Sequence, residues 1–311
     1  MNTKELKLVM IGAMYENGGN TTHRFLDAHP EMFVYPFESQ VGTRYVQDVM
    51  TSLFPVKYRW PVFGLESTPT EDYRAIIDEE GKVRARTPFV SKFRDYPFDL
   101  NDDERLRIYC DYIAKSGRGT GQNMGAFFAA TFDAWKDYNR TGKESVYVGY
   151  SPIITVDTDR ILRDMPNAHV LHVVRNPWSA FADTSKRPVP MALDSYMLAW
   201  TVCQYYALQC RARHPERVHI VRIEDVMRDS RGTLGPICEK LGIDPHSASL
   251  SQPSWNGKTL TEVKPWGTIR IPTPEVNLAT ARELSEQQME EIRVRTLPHL
   301  EIFDYKNFLK G

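Results

Sequence analysis

Apolar residues occur along the chain in short uninterrupted runs, and segments with helical spacing follow most of these runs. Leu8, Val9, Met10 and Ile11 form the first run, and 168–174 (AHVLHVV) form a second, strongly apolar one. A strand that is buried on both faces of a parallel sheet has this pattern, because neither face alternates with polar residues. The succession of strand, helix and strand predicts an α/β fold built on a parallel sheet.

The remaining elements follow from periodicity and from turn residues. Between 41 and 145 the alternation of strand and helix is lost, and 58–99 is rich in proline and aromatic residues. We interpret 1–311 as a single domain with a largely helical or irregular insertion at about 41–145. That insertion is either a substrate-binding lid or packing that merely covers the sheet. We expect helices at 102–116, 123–140, 151–166, 177–187, 193–214, 230–243 and 284–303, and further strands at 32–40, 146–148 and 217–225.

Composition narrows the class of protein. The 311 residues are 41% hydrophobic and 25% charged, and the formal net charge of −1 argues against an extended nucleic-acid surface. A strand within the first ten residues leaves no room for a signal peptide, and no run approaches the ~18 apolar residues of a membrane span. These features predict a cytoplasmic protein. The four cysteines lack metal-ligand spacing, so we expect no metal.

The first strand leads into a glycine-containing turn before the first helix. Such a turn offers backbone N–H groups and the positive end of a helix dipole to an anion, so it predicts a phosphate site. The alternative is a glycine turn without a ligand. The nucleotide-binding pattern Gly-x4-Gly-Lys-Ser/Thr is absent, because Gly12 is followed by Gly18 and no lysine intervenes, which disfavours an ordinary kinase. The candidate phosphate-binding residues are Gly18, Gly19, Asn20, Thr21 and Thr22.

Other polar residues stand where strands end. Glu38 follows the second strand and Arg175 follows 168–174, and ligands of open α/β sheets collect at the carboxyl ends of strands. Glu38 is alternatively a solvated acid or a helix cap, and Arg175 is alternatively the partner of a structural carboxylate. His23, beside the turn, is a rival to Glu38 as a base. Lys258, Lys264 and Arg270 lie in a loop rich in glycine and proline and are weaker candidates for ligand contact.

Several segments, in order, resemble the sulfotransferases that use 3′-phosphoadenosine 5′-phosphosulfate (PAPS). They are the glycine turn with TTHRFLDAHP, the strand ending near FES, and the run YSPIITVDTDRILRDMPNAHVLHVVRNP. VRIEDVMRDSRGTLGPICEKLGI and LSEQQMEEI complete the set, with LHVVRNP among its most specific parts. The resemblance implies a P-loop-like, three-layer fold with about five parallel strands. The pattern is closest to bacterial sulfotransferases of the carbohydrate and tyrosyl-protein type.

The resemblance also implies roles for residues. The glycine turn would hold the 5′-phosphosulfate, Arg175 the 3′-phosphate, and Glu38 would be the base that takes the acceptor's proton. Two positions depart from the family pattern. Tyr15-Glu16-Asn17 stands where a lysine or arginine is usual, and Asp183 stands where a serine is usual, so we expect Thr184 or Ser185 to take over that contact.

The leading hypothesis is a PAPS-dependent sulfotransferase acting on a hydroxyl of a small molecule or carbohydrate, with 3′-phosphoadenosine 5′-phosphate (PAP) as product. The alternatives are a kinase with a variant phosphate loop and a non-catalytic binding protein of the same fold. The acceptor and the oligomeric state do not follow from the sequence.

Overall fold

The central element of the fold is a parallel sheet with the strand order β2-β3-β1-β4-β5. The computed structural model describes residues 6–36, 38–39, 41, 46, 48, 50–51, 58–86, 97–187, 190–260 and 273–310. The α/β class and the five-stranded parallel sheet are confirmed. The strands are β1 (Lys7–Ala13), β2 (Met32–Val34), β3 (Val146–Tyr150), β4 (Ala168–Val174) and β5 (Val218–Arg222).

Helices cover both faces of this sheet. On β1, Leu8 and Met10 belong to one buried cluster while Val9 and Ile11 belong to another, as the alternation of side chains along a strand requires. The helices within the described ranges are α1 (Gly19–Leu26), α2 (Pro69–Arg86), α3 (Asp102–Ser116), α4 (Thr120–Ala134), α5 (Thr158–Asp164), α6 (Pro177–Ser185), α7 (Leu193–Arg213), α8 (Ile223–Arg228), α9 (Ser230–Leu241), α10 (Pro274–Ala281) and α11 (Glu286–Ile302).

The two helical layers differ in origin. The cluster around Leu8 and Met10 includes side chains from α2, α3, α4 and α5, so part of the segment 41–145 packs directly on the sheet. The cluster around Val9 and Ile11 includes side chains from α1, α8 and α9. A third cluster joins α6, α7 and α11 beside the carboxyl end of β4. These three clusters hold the ends of β1, β3 and β4 in a fixed relation to one another.

Strand order places the carboxyl end of β1 at a switch point. The chain runs from β1 through α1 to β2 on one side of the sheet, and later from β3 to β4 across β1 to the other side. Loops leaving neighbouring strands in opposite directions open a crevice at that point, and ligands of such sheets bind there. The crevice lies beside the turn that follows Ala13 and the residues that follow Tyr150 and Val174.

Several predicted elements differ from the observed ones in their boundaries. The strand expected at 32–40 ends at Val34, and the helices expected at 123–140 and 151–166 are Thr120–Ala134 and Thr158–Asp164. The strand expected at 217–225 ends at Arg222, where α8 begins, because Arg222 pairs with Asp225 within the first helical turn at 2.7 Å. The stretch 58–99, for which no individual helix was predicted, contains α2. Thr68 and Glu71 cap this helix reciprocally: the Thr68 N–H donates to Oε2 of Glu71 at 2.7 Å, and the Glu71 N–H donates to the Thr68 hydroxyl.

The segment after α9 contains a small antiparallel hairpin that the sequence pattern does not indicate. Its strands are β6 (Ser254–Trp255) and β7 (Lys258–Thr259). Within the described ranges, no helix combines the length and the apolar character that crossing a bilayer requires.

Candidate active site

The turn between β1 and α1 is held by one buried asparagine. Asn17 donates from Nδ2 to the carbonyl oxygen of Tyr15 at 2.8 Å and to the hydroxyl of Tyr196 at 3.1 Å. Its Oδ1 accepts from the Arg175 N–H at 3.0 Å and from Trp200 Nε1 at 3.1 Å. The turn is therefore tied to the end of β4 and to α7. Its shape is set before any ligand arrives.

The first turn of α1 presents unused backbone donors. Gly18 has φ +86°, a left-handed conformation that favours glycine, and no side chain caps the helix. The helical hydrogen bonds begin where the Thr22 N–H donates to the Gly18 carbonyl at 2.9 Å, so the N–H groups of Gly19, Asn20 and Thr21 precede the ladder. The first turn of α1 also contains no acidic residue. An anion is the group that this end of the helix favours.

Gly19 is needed for packing as well as for the turn. A Cβ on Gly19 would lie 2.5 Å from Cε2 of Tyr150 and 2.9 Å from the Cβ of Ala13. Thr22 lies one turn further on, fully buried, and its hydroxyl donates to the Gly18 carbonyl at 3.1 Å. Gly19 thus lets α1 approach the ring of Tyr150 at the end of β3.

Tyr150 connects the turn with Glu38. The Ser39 N–H and the Ser39 hydroxyl donate to the Tyr150 carbonyl oxygen at 2.7 and 2.8 Å, which holds the chain next to Glu38 against the end of β3. Burial raises the pKa of Tyr150 well above its usual value, and the charges of Glu38 and Glu16 raise it further while Arg187 opposes them. The Tyr150 hydroxyl therefore stays protonated. Glu38 is itself half-buried and lies close enough for its charge to act on Tyr150.

His23, the rival candidate for the base, lies on α1 beside the turn. It is fully buried on α1, its ring centroid lies 5.9 Å from that of Tyr150, and its Nδ1 lies 2.8 Å from Nη2 of Arg24. Burial lowers the pKa of His23 well below its usual value, and the Arg24 charge lowers it further. The imidazole is therefore neutral near pH 7, and it packs between α1 and the end of β3.

Arg175 lies at the end of β4, as predicted, and its guanidinium already forms an ion pair with a carboxylate. Nη1 donates to Oδ2 of Asp183 at 2.8 Å and to the Glu16 carbonyl at 2.9 Å. Nε donates to Oδ1 of Asn277 on α10 at 2.8 Å. The side chain of Arg175 is 12% exposed. Asp183, eight residues along the chain, therefore stands beside the guanidinium at the position where the family pattern has serine.

The buried carboxylate of Glu224 orients Arg175 through Asn277. Glu224 accepts hydrogen bonds at Oε1 from the Asn176 N–H and Nδ2 and from Asn277 Nδ2, and at Oε2 from the Tyr305 hydroxyl at 2.6 Å. Asn277 thus donates to Glu224 while its oxygen receives Nε of Arg175. This arrangement fixes the amide orientation of Asn277 and, through it, the direction of the guanidinium.

The remaining predicted residues that the structure describes are not brought to the turn. The hydroxyls of Thr184 and Ser185 donate to the Ala180 and Ala182 carbonyls within α6, so neither takes over the contact expected of them. Lys258 is exposed in the β6–β7 hairpin, whose Gly257 N–H donates to Asp27 at the far end of α1, about 12 Å along the helix from the turn. Lys264 and Arg270 lie outside the described residues.

Two residues of this site, Tyr150 and Arg187, were missed by the sequence reasoning, and the role of a third, Asp183, was not foreseen. Tyr150 ends a parallel strand next to β1, and that position alone was a signal. Asp183 was noticed as a departure, although its pairing with Arg175 was not foreseen. Arg187, just after α6, gave no pattern signal because only the folded chain brings it near Tyr15 and Glu16. Across the described part of the chain, no group of three or more His, Cys, Asp or Glu residues could hold a metal ion.

A comparison with solved structures finds sulfotransferases of low sequence identity. The sulfotransferase domain of the Synechococcus PCC 7002 olefin synthase is 18% identical, with a TM-score of 0.44 and coverage of 91% of this chain and 96% of that chain. A sulfotransferase from Alicyclobacillus acidocaldarius is 13% identical, with a TM-score of 0.43 and coverage of 96% and 94%. Sulfotransferase STF9 from Mycobacterium avium is 13% identical, with a TM-score of 0.45 and coverage of 98% and 78%.

A search of curated proteins returned no match. The family profile described as "Sulfotransferase family" matches residues 9–247. That range runs from β1 to the end of α9 and beyond, and so includes the turn, Glu38, Tyr150, Arg175 and Asp183. It spans well over half of the 311 residues. The chain therefore belongs to the sulfotransferase family.

Proposed function

We propose that this protein transfers a sulfuryl group from PAPS to a hydroxyl of a small-molecule or carbohydrate acceptor. The observation that carries the proposal is that Tyr150 lies next to both groups: Gly19 at the start of α1 approaches its ring, and the charge of Glu38 acts on its hydroxyl. A carboxylate and an anion-binding helix end near one residue supply the two groups that sulfuryl transfer to an alcohol requires. These are a proton acceptor and a seat for the anionic donor.

The residues at the turn fit the 5′ end of PAPS. The N–H groups of Gly19, Asn20 and Thr21 are the donors, and the absence of a capping side chain on α1 leaves them open. Arg175 is the candidate for the 3′-phosphate, and its Nη1 already donates to Asp183. A 3′-phosphate must therefore displace the Asp183 carboxylate or bind through Nη2 of the guanidinium.

The proposed reaction needs no covalent intermediate with the protein. The acceptor oxygen forms a bond to sulfur while the bond between sulfur and the bridging phosphate oxygen breaks, and PAP leaves with that electron pair. The acceptor's proton passes to the Glu38 carboxylate. The neutral Tyr150 hydroxyl, beside Glu38, is available to donate a hydrogen bond to the acceptor or the sulfuryl oxygens. Positioning and charge stabilisation supply the rate acceleration.

A non-catalytic nucleotide-binding protein is the second candidate, and two observations favour it. Glu16 places a carboxylate at the mouth of the turn, and Asp183 neutralises Arg175. Both reduce the positive charge that would stabilise a leaving PAP. A kinase has no comparable support, because no lysine follows the turn.

Calorimetry with PAP, followed by transfer assays with radiolabelled PAPS and a panel of hydroxyl acceptors, tests the proposal. We expect PAP binding and acceptor-dependent loss of the label from PAPS. PAP binding without transfer to any acceptor would favour the non-catalytic candidate. Binding and turnover of ATP in the absence of any PAP binding would refute both.

A further inference from the structure

We propose that Arg187 binds the sulfate-bearing 5′ end of the donor and supplies the positive charge that the turn itself lacks. This inference rests on the proposed function, because it names a further contact to the donor. Arg187 follows the last residue of α6 by two positions and lies beside the turn after β1. Its role was not indicated by the sequence pattern.

The guanidinium of Arg187 packs on an aromatic ring and makes no hydrogen bond to a described residue. It lies over the ring of Tyr15, with Cζ 5.0 Å from the ring centroid. Its nearest carboxylate is Glu16, at 3.9 Å between Nη1 and Oε1, which is too long for a hydrogen bond. Among the described residues, none accepts a hydrogen bond from this guanidinium. Its five N–H groups therefore remain available to an anion.

A second polar group at the same place also has no partner. Tyr150 is 6% exposed, and its hydroxyl makes no hydrogen bond to any residue within the described ranges. The hydroxyl lies in the electrostatic range of Arg187, Glu38 and Glu16. The ring of Tyr150 is buried, but its hydroxyl oxygen is not among the fully buried unsatisfied atoms, so this hydroxyl is open to the crevice and available to a ligand. Arg187, Tyr150 and the first turn of α1 thus enclose one anion-binding space.

The other basic residues nearby are already engaged. Arg175 donates to Asp183, Asn277 and Glu16. Lys186, the neighbour of Arg187, pairs with Glu283 at 2.5 Å and with Asp183 at 3.5 Å. Because Arg187 alone among these three makes no close ion pair or side-chain hydrogen bond to a described residue, its charge is the most available to an incoming sulfate.

The test uses adenosine 5′-phosphosulfate, which carries the sulfate-bearing end without a 3′-phosphate, and adenosine, which carries neither anion. Calorimetry compares the full-length protein with Arg187→Gln, Arg187→Lys and Lys186→Gln. We expect Arg187→Gln to weaken adenosine 5′-phosphosulfate binding by about 10- to 100-fold, as the loss of charge-assisted hydrogen bonds predicts, and to leave adenosine unchanged. Arg187→Lys should recover part of the loss, and Lys186→Gln should have an effect below about threefold.

Each outcome separates this inference from the proposed function. Equal affinities of wild type and Arg187→Gln for adenosine 5′-phosphosulfate, with PAP still bound, would overturn the role of Arg187 alone. Equal losses in Arg187→Gln and Lys186→Gln would replace a specific contact by general electrostatic attraction, and so also overturn it. Failure of wild type to bind any of these nucleotides would overturn both. Thermal unfolding of Arg187→Gln checks that the variant is folded, and Glu16→Gln should tighten binding by removing the facing carboxylate.

Discussion

Replacing Asp183 by asparagine should improve the binding of nucleotides that carry a 3′-phosphate. Asp183 accepts from Nη1 of Arg175 at 2.8 Å, and the two side chains are 20% and 12% exposed. Asparagine keeps the size of the side chain and an oxygen that accepts the same hydrogen bond. The substitution therefore removes one negative charge while leaving Arg175 held in place.

The expected magnitude follows from the geometry of a shared guanidinium. Two anions that bind one guanidinium lie about 6 Å apart, and two unit charges at that distance repel by about 1.4 kcal/mol at an effective dielectric constant of about 40. A phosphate monoester carries about 1.5 to 2 charges near neutral pH, so its repulsion by Asp183 amounts to about 2–3 kcal/mol before salt screening. Partial exposure reduces this figure, and we expect PAP affinity to rise by about tenfold or more.

The measurement is calorimetry of wild type and Asp183→Asn with PAP and with adenosine 5′-monophosphate, which lacks the 3′-phosphate. PAP affinity should rise while adenosine 5′-monophosphate affinity stays within about twofold, and the difference should shrink as salt is raised. Asp111→Asn is the matched control, because Asp111 is 58% exposed on α3 and pairs with the surface arginine Arg107.

Two results would refute the reasoning. Equal gains for PAP and adenosine 5′-monophosphate would mean that Asp183 acts through overall charge and does not face the 3′-phosphate. An unchanged PAP affinity, in a variant whose thermal unfolding matches wild type, would mean that the nucleotide does not use Arg175 at all. The expected role of Arg175 would then be wrong, and its ion pair with Asp183 would be purely structural.

Three further predictions concern the chemistry, the packing and the pH dependence. Glu38→Gln should keep PAP affinity and lower single-turnover transfer by about 10²–10⁴-fold; retained transfer would exclude Glu38 as the base. Gly19→Ala should lower the free energy of unfolding by about 1–3 kcal/mol, because the added Cβ would clash with the ring of Tyr150. Gly64→Ala should change the free energy of unfolding little, because its added Cβ would lie 3.6 Å from the Cβ of Ser67. Equal losses in the two variants would contradict this packing argument. Burial lowers the pKa of His172 to about 4, so the unfolded chain takes up its proton first and the free energy of unfolding should fall by about 1.4 kcal/mol per unit as pH drops from about 6.5 to 4. A urea-unfolding series should show a shallower slope for His172→Asn, and an unchanged slope would exclude this histidine as the source.

The short-range features of this site were predictable from the sequence. The strand 7–13, the glycine turn, the start of α1 and the position of Arg175 after an apolar strand depend on neighbours within a few residues. The helix predicted at 102–116 has the observed bounds Asp102–Ser116, with Asn101 as its N-cap. The α/β class and the family followed from the order of these local signals along the chain.

The sequence contained a local signal for the start of α2, but the composition around it hid that signal. The helix α2 begins at the sequence Thr68-Pro69-Thr70-Glu71, which combines a capping box with proline in the first turn. No helix was predicted at this position, because the prolines and aromatic residues around it obscured the helical pattern. The boundary at Arg222 was missed because the apolar and β-branched residues before it gave no reason to stop the strand there.

The tertiary structure decided which of the candidate residues meet. Arg175 and Arg187 are both arginines close to the same helix. Arg175 forms a close ion pair with Asp183, whereas Arg187 makes no close ion pair with a described residue. Tyr150 and Glu38 are more than one hundred residues apart and are joined by the Ser39 hydrogen bonds to β3. Pairing of this kind depends on strand order, on the close approach that Gly19 permits and on burial. A sequence pattern records spacing along the chain, whereas charge neutralisation and desolvation depend on distances in space, and only the folded chain sets those.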